Sequence, residues 1–170
     1  AGGLGIVQFV GIPYVSNLGY VSNANGTSFG ALPKVFTTGR FLHNATKLAD
    51  GRVLVSGGLT ADLGGVLKTG DVTQIAFTSI ATTSLYSTSG FGSFSNGPVL
   101  SSPRALHSVA ALNNGRALLC GGVSGALDIG AILSGTISLP AATATTELVS
   151  ASATRLAPTM GAARVGGMAV

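Results

Sequence analysis

The stretch Arg104 to Gly122, RALHSVAALNNGRALLCGG, restates the stretch Arg40 to Gly58, RFLHNATKLADGRVLVSGG. Set in register, every landmark recurs at one spacing: Arg40 with Arg104, His43 with His107 (107 − 43 = 64), Leu48 with Leu112, Gly51 with Gly115, Arg52 with Arg116, and Gly57-Gly58 with Gly121-Gly122. Ungapped self-similarity at a fixed period is the signature of a repeat architecture, in which each unit buries its apolar face only by stacking on its copies.

The unit reads as a β-hairpin. Residues 41–48 and 52–56 are strand-like runs, and between them lies Asp50-Gly51, replaced by Asn114-Gly115 in the second copy. Both dipeptides supply the positive φ values of a tight hairpin turn. The runs Val53 to Val55 and Ala117 to Leu119 are continuously apolar, which predicts a strand covered on both faces. The double glycines end it and permit close backbone approach. A partial third copy opens at Arg164, 60 residues past Arg104 (164 − 104 = 60), and Ala1-Gly2-Gly3 resembles the close of an earlier second strand. The chain is therefore expected to begin and end within a repeat.

Ahead of the first full copy, residues 4–22 read as two or three short strands broken at Gly11-Ile12-Pro13 and Asn17-Leu18-Gly19, and residues 22–30 as a turn cluster. After Gly58 about 24 residues intervene before the next strand near Thr82 (82 − 58 = 24), far more than a hairpin loop needs. Within that insertion Val72 to Ile80 has strand composition, and Ile129 to Leu139 occupies the same place in the second copy. The repeated insertion is either an added strand in each unit or a face built for contact, with the plain structural role preferred. Leu63 to Leu67 is too glycine-rich to predict a helix.

Arg, two residues, His, a strand, a DG or NG turn, Arg, an apolar strand and a double glycine: this pattern resembles kelch repeats, especially those of bacterial surface proteins and of the propeller of galactose-oxidase-like enzymes. Thr82 to Tyr86 and Thr145 to Val149 resemble the family's third strand, and Gly92-Ser93-Phe94 and Thr154-Arg155-Leu156 its fourth. The period exceeds the roughly 50 residues usual for kelch, and no Trp occupies the fourth strand. The resemblance implies an all-β fold of kelch-like β-propeller blades, each of four antiparallel strands, incomplete because fewer than three blades fit. One β-repeat domain over 1–170 is expected, with 1–39 as outer strands of a first blade, 40–103 a second blade, 104–163 a third and 164–170 the start of another. Propellers close with 4 to 8 blades. The expected partners are therefore other protein chains, through self-assembly or the remainder of a longer polypeptide.

Composition limits the function classes. Apolar residues make up 46% of the 170 and charged residues 8%, with 26 glycines, which suits layered β structure and not a disordered chain. The nine basic residues are scattered, whereas nucleic-acid binding needs a stripe or patch. No apolar run reaches the length of a membrane span. Cys120, alone in the chain, excludes an internal disulfide framework and reads as a small buried hydrophobe. A surface poor in Lys and Glu and rich in Thr, Ser, Ala and Gly suggests an extracellular or cell-surface location, the periplasm included. Residues 1–12 are apolar with no positive region before them, so no signal peptide is expected within the chain.

Few residues suggest chemistry. Gly26-Thr27-Ser28-Phe29-Gly30 matches the nucleophile elbow, but Ala31-Leu32-Pro33 follows where a helix is required, so a turn is expected. His43 and His107 occupy equivalent positions a blade apart and are expected to bond a neighbouring blade's backbone and not a metal, which needs at least three converging ligands. Tyr14, Tyr20 and Tyr86 offer no galactose-oxidase-like copper constellation. Arg40, Arg104 and Arg164 precede each first strand; they either bond carbonyls at strand ends between blades or, with His43 and His107, ring a channel mouth that attracts anions. Asn25-Gly26-Thr27 and Asn44-Ala45-Thr46 fit the glycosylation pattern, and only Asn25 lies in a predicted turn. The reading is a non-catalytic extracellular or surface binding and scaffold module, with no catalytic residue, cofactor or metal. A filament or sheath subunit and a fragment of a galactose-oxidase-like copper enzyme are the alternatives.

Overall fold

The computed structural model describes residues 3–6, 13–16, 19–22, 25–32, 38–71, 75–87, 92–128, 130–131, 134–136 and 140–167. Among the described residues the fold is nearly all β. Ahead of the first full copy, β1 (Gly3–Ile6) pairs with β2 (Pro13–Ser16) and β3 (Gly19–Ser22) with β4 (Phe29–Leu32), both antiparallel. Of the expected breaks, residues 11–12 and 17–18 lie outside the described residues, while Pro13 and Gly19 open β2 and β3. The lead from Leu32 to Arg40 is largely outside the described residues.

Each copy then builds one four-stranded antiparallel sheet. In the first, β5 (Asn44–Lys47), β6 (Val53–Ser56), β9 (Thr83–Ser87) and β10 (Ser93–Asn96) lie side by side in that order. In the second, β11 (Ser108–Ala111), β12 (Ala117–Cys120), β16 (Thr146–Val149) and β17 (Thr154–Ala157) do the same. Between strands two and three the insertions contribute β7 (Leu59–Asp62), α1 (Gly64–Thr69) and β8 (Ala76–Ser79) in the first copy, and β13 (Val123–Ser124), β14 (Ala126–Asp128) and β15 (Ala141–Ala142) in the second.

The expected hairpins form, with residues 49–51 left between the two strand runs. Leu48 N–H donates to Arg52 O at 2.8 Å and Gly51 N–H to Leu48 O at 3.0 Å, so three residues form the loop. Only Gly51, at φ 86°, enters the left-handed region, and Gly115 matches it at 79°. Asp50 instead braces the turn, its carboxylate accepting from the Arg52 backbone N–H at 3.0 Å and from the Arg52 guanidinium. The first strand is also shorter than predicted, because Leu42 takes φ 53° and interrupts the extended backbone before Asn44.

The sheets stack face to face. Leu54 and Leu85 on one sheet meet Ala117, Leu119 and Val149 on the other, with Leu48 and Leu100 closing the layer. Leu54, Leu119 and Val149 are wholly buried; side chains of this size each contribute roughly 1.5–3 kcal/mol on burial. β6 is covered on both faces, as its apolar run predicts.

The insertions form their own layer. β8 pairs with β7 of its own copy and with β14 of the next, giving the order β14-β8-β7 and the register Ala126↔Thr78. Phe77 and Ile75 anchor this layer against Leu59, Ala105 and Val123, with Phe41 set edge-on to Phe77 at 5.1 Å. Two expectations are corrected here. A helix does form over Gly64–Thr69, because the Asp62 carboxylate accepts from Gly64 N–H at 2.8 Å and Lys68 sits in its last turn. And in the second insertion the strands Ala126–Asp128 and Ala141–Ala142 flank the predicted Ile129 to Leu139, of which the described residues 130–131 and 134–136 are not strand.

Candidate functional site: arginine cradles and the seam between copies

Arg40 and Arg104 stand just ahead of their first strands and turn inward, 1% and 0% exposed. The Arg40 guanidinium donates through Nη1 to Gly57 O at 3.0 Å and Thr82 O at 2.8 Å, and through Nη2 to Thr82 Oγ1 at 2.9 Å. Arg104 repeats the cradle on Gly121 O (3.0 Å), Thr145 O (3.2 Å) and Thr145 Oγ1 (3.0 Å). These carbonyls lie where strand two ends and strand three begins, so each arginine clamps the point where the insertion leaves and re-enters its own sheet. Burial pushes the Arg40 guanidinium down to about 10, which leaves it charged at neutral pH. Arg164 is exposed; its backbone N–H donates to Thr143 O at 3.3 Å, as Arg104 N–H does to Ile80 O at 3.2 Å.

The cradles differ in one respect that the aligned repeat conceals. Arg104 Nη2 also bonds the carboxylate of Glu147, wholly buried, whose other oxygen accepts from Ser101 N–H at 2.7 Å. Third strands recur 63 residues on (145 − 82 = 63), so the counterpart of Glu147 is Ser84 (147 − 84 = 63). Beside it lies a cavity of about 140 Å³ lined by Arg40, Thr82, Thr83, Ser84, Asn96, Gly97 and Val99.

The seam between copies carries the histidines. His107 Nε2 pairs with Ser56 Oγ of the preceding sheet at 2.8 Å, and Asn44 Nδ2 donates to His107 O at 3.1 Å. The contact to a neighbouring unit is thus to a side chain and not to backbone. Burial first, then Arg104 and His43, pull the His107 imidazole down to about 4. His43 is likewise pulled to about 4 by burial and then by nearby positive charge, Arg40 included. At the same seam Leu106 N–H donates to Leu42 O at 3.1 Å, and Gly166 N–H to Leu106 O at 2.9 Å. Ser108 Oγ, the counterpart of Asn44, bonds Gly167 O. The junction therefore repeats its backbone link and its side-chain bond at equivalent positions, with Ser108 for Asn44 and Gly167 for His107.

The double glycines make that junction possible. A Cβ at Gly58 would lie 2.7 Å from Phe41 O, and one at Gly122 2.5 Å from Ala105 O; at Gly57 and Gly121 it would collide with the carbonyls of Arg104 and Arg164.

Other sequence candidates fall into place around this. Ser28 sits in an exposed turn running into β4, without the elbow's strand-turn-helix order. Asn25 is exposed in that turn, whereas the Asn44 side chain is engaged at the seam. Tyr20 is exposed and Tyr86 stacks on Phe94 with centroids 4.8 Å apart; the Tyr14 side chain is outside the described residues. Cys120 is half-buried in β12, and burial pushes its thiol up, opposed by Arg104. Among the described residues no group of three or more His, Cys, Asp or Glu is placed to hold a metal, and no helix is long and apolar enough to cross a membrane. Glu147, Ser84 and Ser56 were not singled out from the sequence. The signal for Glu147 was available as the one acidic residue in a third strand.

No protein-family model matches the chain, and no curated protein matches it. Among solved structures, one titled "Structure of YjhT" is similar at 12% identity and a TM-score of 0.44, over 98% of this chain and 69% of that one.

Proposed function

We propose that the chain is a non-catalytic binding and scaffold module, built of kelch-like propeller blades and acting outside the cytoplasm by contact with other protein chains. The observation that carries this reading is the cross-copy sheet β14-β8-β7. Its exposed residues Thr78, Ala76 and Ala126 are small, and the exposed carboxylates of Asp62 and Asp128 flank them. Two of the five acidic residues of the chain therefore border one small-residue surface, which suits a partner with a flat apolar contact and basic rim. The pairing spans two copies, so the surface exists only when the repeats are stacked.

A panel of extracellular proteins and glycans probed with the wild-type chain and with a Thr78→Arg, Ala126→Arg variant tests the reading. Saturable binding lost in the variant, with an unchanged far-UV circular dichroism spectrum, supports it. Binding that survives both substitutions, or none at all, removes it.

A second reading, a self-assembling filament or sheath subunit, is favoured by the far face of the second sheet. Leu118 and Leu148 there are the counterparts of Leu54 and Leu85, which the next sheet buries, yet both are half-buried. Sedimentation velocity distinguishes the readings: large polymers that dissociate on Leu118→Lys favour the filament, and a species of fixed mass favours the module.

A further inference from the structure

The two arginine cradles are near-copies, and one of them contains an internal ligand. In the second copy the Glu147 carboxylate lies between the Arg104 guanidinium and the Ser101 amide. In the first copy the same face of the same strand carries Ser84, opposite Asn96 in the register, and the position beside it is a cavity of about 140 Å³. At roughly 30 Å³ for each water, that is room for a few atoms and not for a large ligand.

The lining is suited to a carboxylate. Arg40 is fixed by Gly57 O, Thr82 O and Thr82 Oγ1, and burial keeps water from screening its charge. The Ser84 hydroxyl, on a residue 5% exposed, lines the cavity, and Asn96 adds an amide at the exposed edge. Val99, 64% exposed, stands at the opening, so the cavity communicates with solvent. Guanidinium, hydroxyl and amide are the donor set that recognises a planar anion.

We propose that the cavity beside Arg40 and Ser84 binds a small carboxylate anion of formate or acetate size, seated where the second copy places the carboxylate of Glu147. The site is independent of the surface formed by β14, β8 and β7, and either can fail without the other.

The test is thermal unfolding of the wild-type chain in sodium formate or acetate against sodium chloride at matched ionic strength. A carboxylate at tenfold its Kd should raise Tm by roughly 3–6 °C, with amide shifts in the NMR spectrum at Thr82, Ser84 and Gly97 and none at Thr145 or Glu147. Ser84→Glu supplies the anion from within: Tm without ligand should rise and the response to formate should vanish. Should that variant fail to fold, Ser84→Leu fills the space without charge and should also lose the response. An equal rise in chloride, shifts confined to other residues, or a response that persists in Ser84→Leu would overturn the proposal.

Discussion

The Leu106 backbone N–H donates to the Leu42 carbonyl at 3.1 Å, and both leucines hold φ at 53°, a region that side chains avoid. The third copy places Gly166 at the equivalent position, at φ 64°, donating to Leu106 O at 2.9 Å. The left-handed conformation costs an L-residue roughly 1–2 kcal/mol. It persists here because turning the chain at this point directs one copy's amide at the previous copy's carbonyl.

Leu42 is 43% exposed, so its side chain contributes little packing to set against that strain. Leu42→Gly should be neutral or stabilising by up to about 1 kcal/mol, and Leu42→Val, β-branched, should cost about 1–2 kcal/mol. Urea unfolding of the two variants checks the order; a glycine variant less stable than the valine variant would show that φ is not the limiting term.

Glu147→Ala should be among the most damaging substitutions. It leaves Arg104 buried with its carbonyl partners but without its countercharge, at a cost of about 3–5 kcal/mol. Ser84→Ala, at the counterpart position, should cost under about 1 kcal/mol. Chemical denaturation midpoints measure both, and similar losses for the two would contradict the asymmetry of the cradles.

The histidines give stability a pH dependence of definite sign. His43 and His107 sit near 4 in the folded chain, below the ordinary 6.5. The unfolded chain therefore binds more protons, and stability that is full above about pH 6.5 falls as pH drops toward 4. The slope reaches at most about 1.4 kcal/mol per pH unit for each histidine, less for the more exposed His43. His107→Gln should remove about half of it between pH 6.5 and 4.5, as read from urea midpoints; an unchanged slope would rule out the seam as its source.

The glycines separate two kinds of constraint. Gly58→Ala brings Cβ within 2.7 Å of Phe41 O at φ 104°, which should cost about 3 kcal/mol or more. Gly51→Ala meets nothing within 4 Å and should cost only the conformational term, about 1 kcal/mol. Equal losses in thermal unfolding would be inconsistent with the close approach of Gly58 to Phe41 O.

Much of this was legible because it is local. Asp50-Gly51 and Gly57-Gly58 announce turn and strand end through backbone chemistry that needs no distant partner, and the 64-residue offset carries both into the second copy. The third strands, Thr82 to Tyr86 and Thr145 to Val149, were legible from a resemblance to known repeats and not from that offset. What escaped was what the copies do not share or what joins them. Glu147 has Ser84 as its counterpart, so repetition hid it. Leu42 has no residue-type marker for its positive φ, and only Gly166 hints at it. The pairing of Thr78 with Ala126 joins segments remote in sequence, and strand composition at Val72 to Ile80 says nothing of the partner. His107 was expected to reach the neighbouring unit; that it does so through Ser56 depends on a register visible only once the sheets stack.

The pairing of β8 with β14 binds the two insertions into a shared inheritance. Hairpins recur after 64 residues and third strands after 63, so the second insertion is one residue shorter than the first. A one-residue slip across Thr78 and Ala126 would turn Phe77 from the interior to the surface. A length change there survives only if it falls outside the paired strands. Repeats that began as duplicates can diverge freely in their outer turns, but along this ladder drift in one copy limits what the other can become.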